Sequence, residues 1–88
     1  MTELIEKIQS AIKSKKIIIG YKGSIKFIKT NSPKLIIVAM NTPEKMKKEI
    51  EYNAKISGIE LQVFEESSKE LGIECGKPFP VTTLVIKR

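Results

Sequence analysis

Histidine and aspartate are both missing from this chain of 88 residues, and cysteine occurs once, at position 75. The missing side chains exclude three common kinds of catalytic site. A Ser-His-Asp triad, a histidine-containing metal site and an Asp-based phosphoryl-transfer centre all need groups that are not present. Cys75 has no histidine to activate it, so a buried or idle thiol is the expected state. One cysteine allows no intrachain disulfide, which fits a reducing cytosol. Long apolar runs are also lacking. The longest, Leu35 to Met40, is a buried-strand length and cannot span a bilayer. The start, Met1-Thr2-Glu3, has no basic stretch followed by an apolar one, so no secretory signal is expected.

What the chain does have is lysine. Sixteen basic residues face ten acidic ones, a formal charge of +6, and every basic residue except Arg88 is lysine. Residues 1 to 48 hold eleven Lys against three Glu, while residues 49 to 88 hold five basic residues against seven Glu. All of the excess therefore lies in one half, which a general solubility device would not require. A polyanionic partner fits this imbalance, and so does a solvated lysine face.

The hydrophobic pattern alternates between helical and extended periods. Leu4, Ile5, Ile8, Ala11 and Ile12 form a helical stripe, with Glu3 and Glu6 near its start and Lys13 near its end. Ile17-Ile18-Ile19 is a β-branched run that reads as a buried strand, closed by Gly20. A second helix is predicted from about Tyr21 to Thr30, broken by Asn31-Ser32-Pro33. Leu35 to Ala39 is continuously apolar, as a central strand covered on both faces should be. Asn41-Thr42-Pro43-Glu44 predicts a helix start with Thr42 as N-cap and Pro43 in the first turn. That helix should end at Gly58. Leu61 to Phe64 predicts a third strand. Ser67-Ser68-Lys69-Glu70 has capping-box spacing before a short helix through Leu71. Gly76 to Pro80 must be loop, and Thr82 to Ile86 the last strand. Alternation of this kind predicts one α/β domain over residues 1 to 88, a three-layer α/β/α sandwich in which at least the first two strands run parallel.

Functional groups in such folds gather where strands end and helices begin. At the first junction Gly20 lets the backbone turn sharply, and the helix start behind it offers unpaired N–H groups to a phosphate. Lys22 and Lys26 add charges one turn apart. At the second junction Asn41 can donate and accept, so it can read a base edge or simply satisfy a turn. Phe79, held between Pro78 and Pro80, makes a stiff apolar ridge suited to an unstacked base, or else ordinary core. Catalysis finds no footing here. Gly20-Tyr21-Lys22-Gly23-Ser24 lacks the spacing of a phosphate loop, and Glu65 and Glu66, if they lie in an extended segment, point opposite ways.

Several segments taken together resemble one family. They are Gly20-Tyr21-Lys22 followed by Lys26, Leu35 to Ala39 leading into Asn41-Thr42-Pro43, and Glu51-Tyr52-Asn53-Ala54-Lys55-Ile56-Ser57-Gly58. Glu70-Leu71-Gly72 and Gly76-Lys77-Pro78-Phe79-Pro80-Val81 complete the pattern. It is similar to the large-subunit ribosomal protein family "L-thirty-e" of archaea and eukaryotes, within the superfamily that binds kink-turn RNA.

The resemblance implies a mixed four-stranded sheet and a structural role on a kink-turn in ribosomal RNA, without cofactor or catalysis. It implies Gly20, Tyr21 and Lys22 as the helix-start contact and Lys26 as a backbone contact. Asn41 would read a base, and Phe79, Pro80 and Val81 would form a ledge under a flipped base, with Leu71 and Gly72 beside it. The implied partners are ribosomal RNA and neighbouring large-subunit proteins, with its own mRNA as a further candidate, in the cytoplasm and away from membranes. The superfamily branch that serves guide-RNA particles usually carries Gly-x-Asn-Glu at this helix start. Tyr21, Lys22 and Gly23 depart from it and favour the ribosomal branch. The alternatives are an accessory protein of another RNA-protein particle and a protein-binding adaptor on the same fold.

Overall fold

A 12-residue helix α1 (Thr2–Lys13) turns Leu4, Ile8 and Ala11 inward, with Glu3 in its first turn and Lys13 in its last. The computed structural model describes residues 2–31 and 33–88. After α1 come β1 (Ile17–Ile19), α2 (Tyr21–Thr30), β2 (Leu35–Ala39), α3 (Glu44–Ser57), β3 (Leu61–Phe64), α4 (Ser68–Glu74) and β4 (Thr83–Ile86). All eight elements follow the order read from the hydrophobic pattern. The predicted break at Asn31-Ser32-Pro33 includes Ser32, which lies outside the described residues.

The sheet order is β1-β4-β2-β3. β2 and β3 pair in parallel, with Ile36 opposite Leu61 and Ala39 opposite Phe64. β4 is antiparallel to both of its neighbours, placing Ile86 opposite Ile17 on one side and Leu35 on the other. β1 and β2 therefore run in the same direction, as the crossover through α2 requires. They do not touch, because β4 lies between them. β1 is consequently an edge strand and only half-buried, where its sequence suggested a buried one.

Alternation along each strand divides the core into two halves. Leu35, Ile37, Ala39, Phe64, Leu84 and Ile86 meet Leu4, Ile8, Leu71 and Cys75 from α1 and the α4 segment. Ile36, Val38 and Val85 meet Ile25 and Ile28 of α2 and Ile50 and Ala54 of α3. β2 contributes to both halves and is buried at all five positions. Its unbroken apolar run is the direct consequence.

Three local expectations change. Thr42 does not cap α3. It is buried, and its hydroxyl lies 2.7 Å from the Ala39 carbonyl and 3.1 Å from that of Thr82, so Pro43 takes the N-cap position without a side-chain bond. α4 continues three residues beyond Leu71, to Glu74, while β4 starts at Thr83 and leaves Thr82 in the preceding loop. The capping box before α4 does form its leading bond, with Ser67 Oγ accepting from the Glu70 N–H at 3.4 Å.

Burial pushes the Cys75 thiol up to about 11, so it stays protonated and inert at neutral pH. Among the described residues no helix is long and apolar enough to cross a membrane, and no group of acidic residues and cysteine could hold a metal ion.

Candidate nucleic-acid interface

β4 is antiparallel to β1 and β2, so its first residues meet the last residues of both. Three hydrogen bonds record this meeting. The Gly20 N–H donates to the Thr83 carbonyl at 2.9 Å, the Ala39 N–H donates to the Thr82 carbonyl at 2.8 Å, and the Thr42 hydroxyl shares that Thr82 acceptor. The helix start at residue 20, the loop at residue 41 and the segment leading into Thr82 are thereby gathered at one end of the sheet. They are 62 positions or fewer apart in sequence, and only the insertion of β4 makes them neighbours.

Gly20 has φ 107 and ψ 152, a conformation that L side chains rarely adopt, and a Cβ there would meet no atom within 4 Å. The turn thus needs glycine for its backbone angle, while the space outside it is open. No side chain caps α2 and no acidic residue occupies its first turn. The first-turn amides and the positive end of the helix dipole are left to solvent or to an anion. Lys22 and Lys26 are both exposed on this helix. Gly23, the residue least expected in a first helical turn, allows close packing: a Cβ there would stand 3.1 Å from Ile18 Cγ2.

Tyr21 is half-buried against the α2/α3 half of the core, and its hydroxyl donates to Glu49 Oε2 on α3. This bond to the carboxylate, with burial and the negative charge of Glu49 adding to it, raises the phenol above its ordinary 10.0. A raised acid favours folding while the phenol is protonated, so the contribution is full below pH 10.0 and fades as pH climbs through the raised value. Glu49→Gln should lower the Tyr21 titration toward 10.0, followed by tyrosinate absorbance. An unaltered curve would mean that the pair does not form in solution.

Asn41 is exposed, and its Oδ1 accepts from the Ser68 N–H at 2.7 Å. One lone pair of Oδ1 is thereby engaged within the protein, which leaves its second lone pair and the Nδ2 donors to a ligand. The oxygen satisfies a backbone amide, as the turn reading expects, and the nitrogen remains able to donate.

Phe79 is 51% exposed, a high value for a large apolar side chain, and Pro80 beside it is also exposed. Val81 and Leu71 are buried at 1% and 0%, so they lie in the core beneath the ridge and support it. Gly72 is buried and packed against the Phe79 backbone. The ten residues singled out in the sequence thus divide by depth. Lys22, Lys26, Asn41, Phe79 and Pro80 are exposed, Gly20 and Tyr21 are partly covered, and Leu71, Gly72 and Val81 lie below them. Ser68, Thr82, Thr83 and Glu49 were not singled out. The first three act through backbone atoms, which carry no residue-specific signal, and Glu49 has no motif around it.

An open groove at the other end of the strands, lined by Glu3, Glu6, Lys7, Lys16, Lys34 and Glu60 among others, carries both signs of charge.

Residues 2–88 match the Ribosomal protein L7Ae/L30e/S12e/Gadd45 family. Similar curated proteins include the large ribosomal subunit protein eL30 of Methanocaldococcus jannaschii, 40% identical over 90% of this chain and 72% of its own length. The eL30 of Methanothermobacter thermautotrophicus is 42% identical over 91% of this chain and 82% of its own. That of Candida albicans is 44% identical over 91% and 76%. Among solved structures, a Giardia lamblia 15.5kD RNA binding protein superposes with a TM-score of 0.89 at 18% identity, covering 99% of this chain and 72% of that one. A Bacillus halodurans protein of unknown function gives 0.85 at 17% identity, covering 96% and 83%.

Proposed function

The chain belongs to the Ribosomal protein L7Ae/L30e/S12e/Gadd45 family, and from that membership we propose that it is a structural component of the large ribosomal subunit that binds a kink-turn in ribosomal RNA. The eL30 names of its archaeal and fungal relatives support the ribosomal assignment. Its role is binding and not catalysis, and its place is on cytoplasmic ribosomes beside other large-subunit proteins.

One observation carries the kink-turn reading: an uncapped helix start, a donor amide and an exposed aromatic ridge converge on Thr82 and Thr83. Each suits a different part of a sharply bent RNA. The α2 start with Lys22 faces phosphates, as helix N-termini do. The Asn41 amide donates to base-edge acceptors of the guanines in sheared G·A pairs. Phe79 and Pro80 support a nucleotide extruded at the bend, where unstacked bases seek an apolar or aromatic surface. A straight A-form duplex would satisfy only the first of these, since its deep, narrow major groove hides the bases.

Titration with a kink-turn RNA and a matched straight duplex tests the proposal. The kink-turn should bind more tightly, and equal affinities would reduce the protein to a generic basic binder. Lys22→Ala should weaken kink-turn binding and flatten its dependence on log salt by about one, because each neutralised phosphate releases its counterions. An unaltered salt slope would show that Lys22 touches no phosphate.

A further inference from the structure

Ser68 lies between two of the three recognition segments, and it reaches both with its backbone. Its N–H donates to Asn41 Oδ1 at 2.7 Å, and its carbonyl accepts from the Val81 N–H at 2.9 Å. The loop after β2 and the loop before β4 are thus linked through the first residue of α4.

Further along the same helix, Gly72 meets the ridge from below. A Cβ on Gly72 would stand 2.2 Å from the Phe79 carbonyl oxygen, 3.2 Å from its carbon and 3.4 Å from Pro80 Cα. All three are backbone atoms, so no side-chain rotation can make room. The helix itself has little freedom to retreat, because Leu71 is buried at 0% and Cys75 at 4% in the core shared with α1.

We propose that α4 is a brace that sets the position of Phe79 relative to Asn41, with Ser68 and Gly72 as positioning residues for RNA recognition. This deepens the kink-turn reading and rests on it. A kink-turn presents its guanine edges and its extruded nucleotide at a fixed spacing, so a protein that reads both must hold its own two contacts equally rigidly. Geometry lost between such contacts is lost affinity, although neither contact is itself removed. Gly72 makes the spacing short, and the Asn41–Ser68–Val81 linkage keeps it constant.

Kink-turn affinity of Gly72→Ala, measured in the wild-type and Phe79→Ala backgrounds, tests the brace. The expected loss is about tenfold with Phe79 present and under about twofold without it, the coupling of a residue that acts through another. Equal losses in both backgrounds, or no loss in either, would overturn the proposal, because a general weakening of the fold would not depend on the ring. A second measurement needs no RNA and applies even if Gly72→Ala fails to fold. In Asn41→Ala, amide exchange should quicken about tenfold at both Ser68 and Val81, since local opening sets exchange rates. Acceleration at Ser68 alone would overturn the linkage. A wild-type protein indifferent to kink-turns would end the function proposed above, while the exchange result would still judge the brace.

Discussion

Asn41→Ala should weaken kink-turn binding by about 1–3 kcal/mol, roughly fivefold to 150-fold, the range for loss of a good base-edge contact. Two effects combine in that loss. The Nδ2 donors disappear, and the Ser68 N–H loses the acceptor that holds it at 2.7 Å. Asn41→Asp separates them. A carboxylate still accepts from the Ser68 amide, so the loop stays tied to α4. It offers no donor to a guanine edge, however, and adds a charge of the same sign as the RNA. Asn41→Asp should therefore bind at least as weakly as Asn41→Ala. Neither substitution removes a cation, so the Asn41→Ala salt slope should stay at the wild-type value, in contrast to Lys22→Ala. The decisive comparison uses RNA in which the G·A pairs are replaced by Watson–Crick pairs. If Asn41→Ala still separates the two RNAs as well as wild type does, Asn41 does not read the bases.

Phe64→Ala should cost about 3–5 kcal/mol of stability, the usual range for truncating a buried aromatic to alanine. Phe64 is fully buried at the end of β3, in the half of the core that also holds Ile8, Leu71 and Leu84. Its carbonyl accepts from the Met40 N–H at 3.0 Å, so the cavity would open directly beneath the loop that carries Asn41. Domains of this kind are stable by about 5–15 kcal/mol in total, so the variant should be only marginally folded. Denaturant unfolding should show a lower midpoint with the slope unchanged. A loss below about 1 kcal/mol would mean that the surrounding side chains collapse into the space and that the site is not rigidly packed.

The elements were legible because each has a local cause. The stripe on α1, the β-branched run at Ile17, the apolar run of β2 and the breaks at Gly20, Gly58 and Pro78 are all written in neighbouring residues. The sheet order was not, because nothing local says that β4 enters between β1 and β2. The half-buried state of β1 follows from that order and was missed with it. Thr42 shows the same limit at a single side chain. Its sequence context is that of a helix cap, but burial beside the Thr82 carbonyl redirects the hydroxyl. In the candidate site, the groups that would face RNA were the readable ones. Their supports were harder to see, since Ser68 and Thr83 act through peptide groups and Gly72 through the absence of a side chain. Only family resemblance placed Leu71 and Gly72 near the ridge.

The position of β4 also bears on when the protein becomes competent during its synthesis. Ile17 must wait for Ile86, and Leu35 for the same residue, before either strand gains its antiparallel partner. Until Thr83–Ile86 emerge, β1 has no neighbour in the sheet and the Gly20 amide lacks its Thr83 acceptor. Pairings so distant along the chain close slowly, because loop entropy is lost before any contact repays it. On the function proposed above, a nascent chain that already displays Lys22, Lys26 and Asn41 should therefore still read RNA poorly. The proposed selectivity should then wait for one event that follows the other three strands, the docking of β4.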